Sequence, residues 1–133
     1  MKLVISEDGS HEMATISRGL RVLACAHVGY AELRAAIAAA HRSGRLPGKN
    51  FGLAKRLVEK VWAATSPVEV DIPTTKTAGD LAEIHDLRGY DAIHLAALQR
   101  LGPPRLIDWV ACWDNDLRRA AVVLGYKVFP ITA

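Results

Sequence analysis

Tyr90-Asp91-Ala92-Ile93-His94-Leu95-Ala96-Ala97-Leu98-Gln99-Arg100-Leu101 is the stretch whose reading decides the fold. It predicts a helix with apolar or small residues on nearly every side, where a surface helix carries them on one stripe. Such a helix lies at the centre of its domain. Asp91 stands at its start, among residues that read as buried (Ala92, Ile93, Leu95, Ala96 and Ala97), and a charge in that setting needs a partner. His94, one turn on, is a candidate partner, though a histidine there is more often a hydrogen-bonded core residue and ranks below the carboxylates.

Working outward, short apolar runs alternate with helical stretches. Residues 21–26, 68–72, 106–112 and 127–131 read as buried parallel strands. Residues 10–19 predict a short helix, with Ser10 as its cap and Gly19 as its stop. Residues 28–43 are rich in alanine and strongly helical, ending at Gly44. Residues 51–65 predict a helix with Leu53, Leu57, Val61 and Ala64 as its apolar stripe. Pro73 suits the first turn of a helix over 73–86, and residues 117–124 form the last helix, closed by Gly125. This alternation predicts an α/β fold in three layers, a parallel sheet flanked by helices, in one domain spanning residues 1–133.

The composition narrows the class. Half of the 133 residues are hydrophobic, which argues against disorder. No run reaches the ~18 apolar residues of a membrane helix, and the acidic Glu7-Asp8 comes too early for a signal peptide. The expectation is a soluble, cytoplasmic protein without membrane contact. A net charge of +3 leans toward an anionic partner. Cys25 and Cys112 lack metal-ligand spacing and sit in apolar runs, so they read as small buried thiols.

Three acidic residues stand where a parallel α/β sheet places its functional groups. Glu32 lies near the start of the helix after strand 21–26, Asp91 opens the buried helix, and Asp114 directly follows strand 106–112, with Asp116 two residues on. Strand C-terminal ends and the helix starts that follow them share one edge of the sheet. Carboxylates gathered there repel unless a cation neutralises them, and oxygen-only ligation favours Mg²⁺ or Mn²⁺. Such ions activate water and stabilise charge on a phosphate in flight. Glu32, Asp91 and Asp114 are accordingly expected within reach of one cation. Ordinary structural roles also account for some of them: Glu32 as a solvated helix residue, Asp114 and Asp116 as cap or first-turn residues.

At these residues the chain resembles the PIN-domain family, in its VapC-type toxin branch. Leu87-Arg88-Gly89-Tyr90-Asp91-Ala92-Ile93-His94-Leu95-Ala96-Ala97 matches that branch's "LRGYDAIHLAA" block. Ala111-Cys112-Trp113-Asp114-Asn115-Asp116-Leu117, with Ala120-Ala121, Leu124-Gly125-Tyr126 and Val128-Phe129-Pro130, is similar to the closing "TFDxxLxxAAxxLGLxVxP". Tyr30-Ala31-Glu32-Leu33-Arg34-Ala35-Ala36 is similar to the "YxExxxA" helix. The blocks run in family order and cover almost the whole chain. The resemblance implies a PIN-like fold and a metal-dependent ribonuclease acting on single-stranded RNA. It also implies a homodimer and a cognate antitoxin that blocks the site. Glu32, Asp91 and Asp114 would be the catalytic residues holding Mg²⁺ or Mn²⁺, with Asp116 as an auxiliary metal-binding acid.

Two departures accompany the resemblance. The family opens on a central strand ending in "DTSAL", whose Asp is a metal ligand. Lys2 to Ser10 instead resembles the stretch after that motif, which implies a first strand truncated from the chain as written. Cys112 stands where the family has a hydroxyl near the metal. A catalytically impaired PIN domain that binds antitoxin or RNA is therefore the alternative reading. A DxD phosphatase, suggested by Asp114-Asn115-Asp116, fits poorly because that motif belongs on a first strand. Arg42, Arg45, Lys49, Lys55, Arg56 and Lys60, opposed only by Glu59, form a basic stretch suited to a phosphate backbone or simply to solvent.

Overall fold

The computed structural model describes residues 10–19 and 21–131. The family-like stretch read over residues 2–9 lies outside them. The chain divides into two compact units, Met1–Pro67 and Val68–Ala133. The architecture is α/β, with helices flanking short strands; among the described residues the strands pair as β1–β2 and as β3–β4, where one four-stranded sheet was expected.

The first unit contains α1 (Ser10–Ser17), β1 (Leu23–Ala26), α2 (Gly29–Arg42) and α3 (Gly48–Ala63), and β2 (Thr65–Val68) runs across its boundary. β1 and β2 pair. The turn from β1 into α2 is tight: a Cβ on Gly29 would sit 2.5 Å from the Cys25 sulfur. Only a glycine admits that approach without displacing the thiol. α2 and α3 pack around Ile37, Ala40, Leu46, Ala54 and Val58, with Tyr30, Leu33 and Phe51 at the margin. The stripe expected on α3 is therefore displaced. Leu53 and Ala64 are exposed, and Leu57 and Val61 are only half-buried. Phe51, Ala54 and Val58 follow the helical spacing i, i+3, i+7, and the small Ala40 and Ala54 side chains let the two helices close on that face instead.

The strand expected over 68–72 is also displaced, keeping only Val68. The residues that follow build a helix start. Asp71 is extended (φ −87°, ψ 179°), and its carboxylate accepts from the Thr74 N–H at 2.9 Å and the Thr74 hydroxyl at 2.6 Å. Pro73 fills the first turn, where no N–H is needed. α4 (Ile72–His85) thus begins where a strand was expected to end. The alternating apolar pattern of Val68-Glu69-Val70 mimics a strand, but capping by Asp71 wins locally.

The second unit continues with α5 (Gly89–Leu101), a 3-10 turn (Pro104–Leu106), β3 (Val110–Ala111), α6 (Asn115–Val123) and β4 (Val128–Phe129). β3 and β4 run parallel in the register Val110↔Val128 and Ala111↔Phe129. Both are shorter than expected. The turn at Pro104 takes Leu106 out of β3, and Pro130, lacking an N–H, ends the ladder after Phe129. α5 is buried through Ala92, Leu95, Ala96 and Ala97, while Ile93 is half-buried and Tyr90 and Leu101 at its ends are exposed, so the all-round burial expected of it holds for its middle. Its neighbours in the core include Ala78, Leu81, Ala120, Ala121, Tyr126 and Val128. The buried Tyr126 hydroxyl donates to the Gly102 carbonyl at 2.9 Å, fastening the end of α5 to the chain leading into β4.

The Asp71 cap makes the second unit sensitive to acid. Thr74 hydrogen bonds, and to a lesser degree Arg100 at 2.7 Å, hold the Asp71 carboxyl at about 2, below its ordinary 3.8. A depressed folded value contributes stability that is fully present above the unfolded value and is lost as pH falls through the folded one. Wild type is expected to exceed Asp71→Asn in urea stability at pH 6, and that advantage should disappear between about pH 3.8 and about 2. An advantage independent of pH would contradict this account.

Candidate active site

The site is built where β3 runs into α6 and where α5 begins. Asp114 caps α6: one carboxylate oxygen, Oδ1, accepts the N–H groups of Asp116 and Leu117, both at 3.0 Å. Arg118, one turn into that helix, donates to the Cys112 carbonyl at 2.7 Å and the Pro130 carbonyl at 2.8 Å. It ties together the C-terminal ends of both strands, so the point at which Asp114 emerges is fixed from two sides. Burial pushes the Cys112 thiol up from its ordinary value, keeping it protonated, and it donates to the Asp114 carbonyl at 3.5 Å. In this position the thiol acts on the backbone at Asp114.

Asp91 reaches the same point from the first turn of α5. Arg88, the residue before that helix, joins the two acids. Its Nε donates to Asp91 Oδ2 and its Nη2 to Asp114 Oδ2, each at 2.9 Å. Adjacent donors on one edge of a guanidinium ordinarily span the two oxygens of a single carboxylate. Here they span two carboxylates, which therefore present oxygens side by side. The Asp91 side chain is 14% exposed and that of Asp114 35%, whereas Arg88 is 75% exposed. The Asp91 hydrogen bond and the nearby charges of Asp91 and Asp114 raise the Arg88 pKa further above its ordinary value.

The residues singled out in the sequence are distributed as follows. Asp91 and Asp114 are brought together. Asp116 stands on the first turn of α6 and pairs with Arg119 at 2.8 Å. Glu32 lies in the first turn of α2, in the other unit, and its charge adds to burial in pushing the Cys25 thiol up. Like Asp114, it follows closely on a strand's C-terminal end. Among the described residues, no group of three or more His, Cys, Asp or Glu side chains is assembled for a metal ion. The described geometry thus carries the Asp91–Asp114 pair. The basic residues Arg42, Arg45, Lys49, Arg56 and Lys60 are exposed, and Lys55 lies over the Phe51 ring. Glu59 is engaged by the Tyr30 hydroxyl at 2.6 Å and Arg34 at 3.2 Å.

No family model matches the chain. Individual proteins do. It is 39% identical over 130 residues to Ribonuclease VapC45 of Mycobacterium tuberculosis (strain CDC 1551 / Oshkosh), covering 98% of this chain and 89% of that protein. Ribonuclease VapC49 of M. tuberculosis (strain ATCC 25618 / H37Rv) matches with the same identity and coverage. The chain belongs to the VapC ribonucleases. The PIN-like α/β reading follows from that membership, and Asp91 and Asp114 fall in two of the three blocks that carried the resemblance.

Arg88 was missed when the acidic residues were read from sequence. It lies inside the most VapC-like block, and one signal marks it: a cation at a helix N-terminus, where the helix dipole favours anions. It makes no side-chain cap there, and its guanidinium donates instead to the two carboxylates.

The double use of Asp114 separates its charge from its cap. Asp114→Asn retains an acceptor for the α6 N–H groups and should unfold in urea close to wild type. Asp114→Ala removes the cap and should cost about 0.5–2 kcal/mol. Equal stability of the Ala and Asn variants would show that the cap at Asp114 contributes nothing.

Proposed function

We propose that this VapC ribonuclease is a divalent-metal-dependent endoribonuclease that cleaves single-stranded regions of RNA, as the toxin of a toxin–antitoxin pair. The observation that carries the reading is the meeting of Asp91 and Asp114 oxygens on one cationic group. The donor set fits a hard cation: carboxylate oxygens from two rigid elements, already gathered around positive charge. Asp91 and Asp114 would hold Mg²⁺ or Mn²⁺. Glu32 joins them on the strength of the VapC-like helix Tyr30–Ala36 in the sequence, and Asp116 serves as an auxiliary acid. When bound, the metal supplies an activated water and a counter-charge for the phosphate.

The chain's own residues supply position. Capping by Asp114 Oδ1 immobilises that carboxylate and leaves Oδ2 to face the site. The buried α5 presents Asp91 with little freedom, since Ala92, Leu95 and Ala96 behind it are packed in the core. Prepositioned ligands of this kind give up little entropy when they bind. The exposed basic residues of α2, α3 and the turn between them suit an RNA backbone, whose binding through them would weaken with salt. The antitoxin, the homodimer and a cytoplasmic setting rest on family membership. Among the described residues, no helix is long and apolar enough to cross a membrane.

Asp91→Asn tests the assignment, because it removes a charge and keeps the shape. Cleavage of a fluorogenic RNA in Mn²⁺ is expected to fall by on the order of 100-fold or more, with an unchanged circular dichroism spectrum. Cleavage at the wild-type rate would overturn the assignment of Asp91.

A further inference from the structure

Arg88 occupies the place that the proposed function gives to the metal. Asp114 has a single oxygen left once Oδ1 is spent on the helix cap, and Arg88 takes that oxygen. The same guanidinium takes Asp91 Oδ2. A guanidinium and a divalent cation compete for these two oxygens, since both are cationic and repel each other at close range. Nor can arginine step aside by losing its proton.

The guanidinium is held there by its hydrogen-bonded ion pairs with the two carboxylates. Its residue precedes α5, where the helix dipole repels a cation, and its side chain caps nothing. Three-quarters of that side chain is exposed, and it is long and flexible, so leaving requires no rearrangement of the core. Asp91 and Asp114, by contrast, are anchored by the buried α5 and by the α6 cap. The moving part of the site is the arginine.

We propose that Arg88 is an internal competitor for the metal position: it neutralises Asp91 and Asp114 in the metal-free protein and swings out when a divalent cation binds, raising the cation concentration needed to load the site. This rests on the metal-dependent reading above. Arg88 is then a positioning residue in the metal-free state. It prevents two adjacent carboxylates from repelling each other, and it keeps their oxygens side by side for the incoming ion.

The test is a Mn²⁺ titration of the full chain without RNA, with free Mn²⁺ read by electron paramagnetic resonance. Wild type, Arg88→Gln and Arg88→Lys are compared. Arg88→Gln should bind Mn²⁺ roughly 5–10-fold tighter, because a competing unit charge is removed from a partly exposed site. Arg88→Lys, which keeps the charge and loses the fork, should fall between. In chelator the order of stability should reverse: Arg88→Gln should melt below wild type, and Mn²⁺ should raise its melting temperature by the larger increment. Should Arg88→Gln fail to fold in chelator, the Arg88→Lys comparison decides alone. Equal or weaker Mn²⁺ binding by the variants overturns the competitor role while leaving the metal reading intact. Absence of binding in all three proteins overturns the metal reading, and the competitor role with it.

Discussion

Asp114 carries two duties that constrain everything near it. One oxygen closes the N-terminus of α6; the other meets the guanidinium that also binds Asp91. The Asp114 cap thus delivers a carboxylate to the site as it closes α6, and the start of α5 at Gly89 places Asp91 beside it. The short parallel pair β3–β4 holds this junction: Arg118 grips the Cys112 and Pro130 carbonyls, one residue past the end of each strand, and Asp114 follows three residues after β3's end. Helix capping, strand pairing and charge pairing converge on one small region of the second unit.

Energetic considerations explain why that region is built of small parts. Two carboxylates with adjacent oxygens repel, and the half-buried position of Asp91 sharpens the repulsion by limiting its access to water. A cation must be present, whether supplied by the chain or by the solution. An exposed arginine is a weak counter-ion, since surface pairs contribute only about 0–1 kcal/mol. The acids themselves are fixed by stronger means, through the α5 core and the α6 cap. Rigidity is thus assigned to the acids and mobility to the counter-charge.

Much of this was legible in the sequence. The central helix was readable because its apolar residues surround it, and Leu95, Ala96 and Ala97 are buried as that pattern requires. Asp91 and Asp114 were readable because each sits at a helix start in an alternating α/β chain. Other features were hidden by local physics. Val68-Glu69-Val70-Asp71-Ile72 alternates like a strand, yet the Asp71–Thr74 bonds convert its end into a helix cap. On α3 the larger residues suggested one face, while close packing of Ala40 against the Ala54 side selected another. The strands were overestimated because apolar runs do not reveal where Pro104 and Pro130 cut a ladder short. Arg88 escaped notice because a single arginine in sequence looks like solubility, and its meaning lies in the two carboxylates, 26 residues apart in one case, that it joins. Glu32 was read from the VapC-like helix pattern, and it stands at the helix start after β1.

The central claim is that Asp91 and Asp114 together receive a divalent cation. Paramagnetic broadening in two-dimensional ¹H–¹⁵N spectra of the wild-type chain tests it most directly. At substoichiometric Mn²⁺, the amides of Gly89 to Ala92 and of Asp114 to Leu117 should disappear first and together. Earliest broadening at acids elsewhere in the second unit, such as Asp80 and Glu83 on α4, with the Asp91 and Asp114 amides unaffected, would contradict the account.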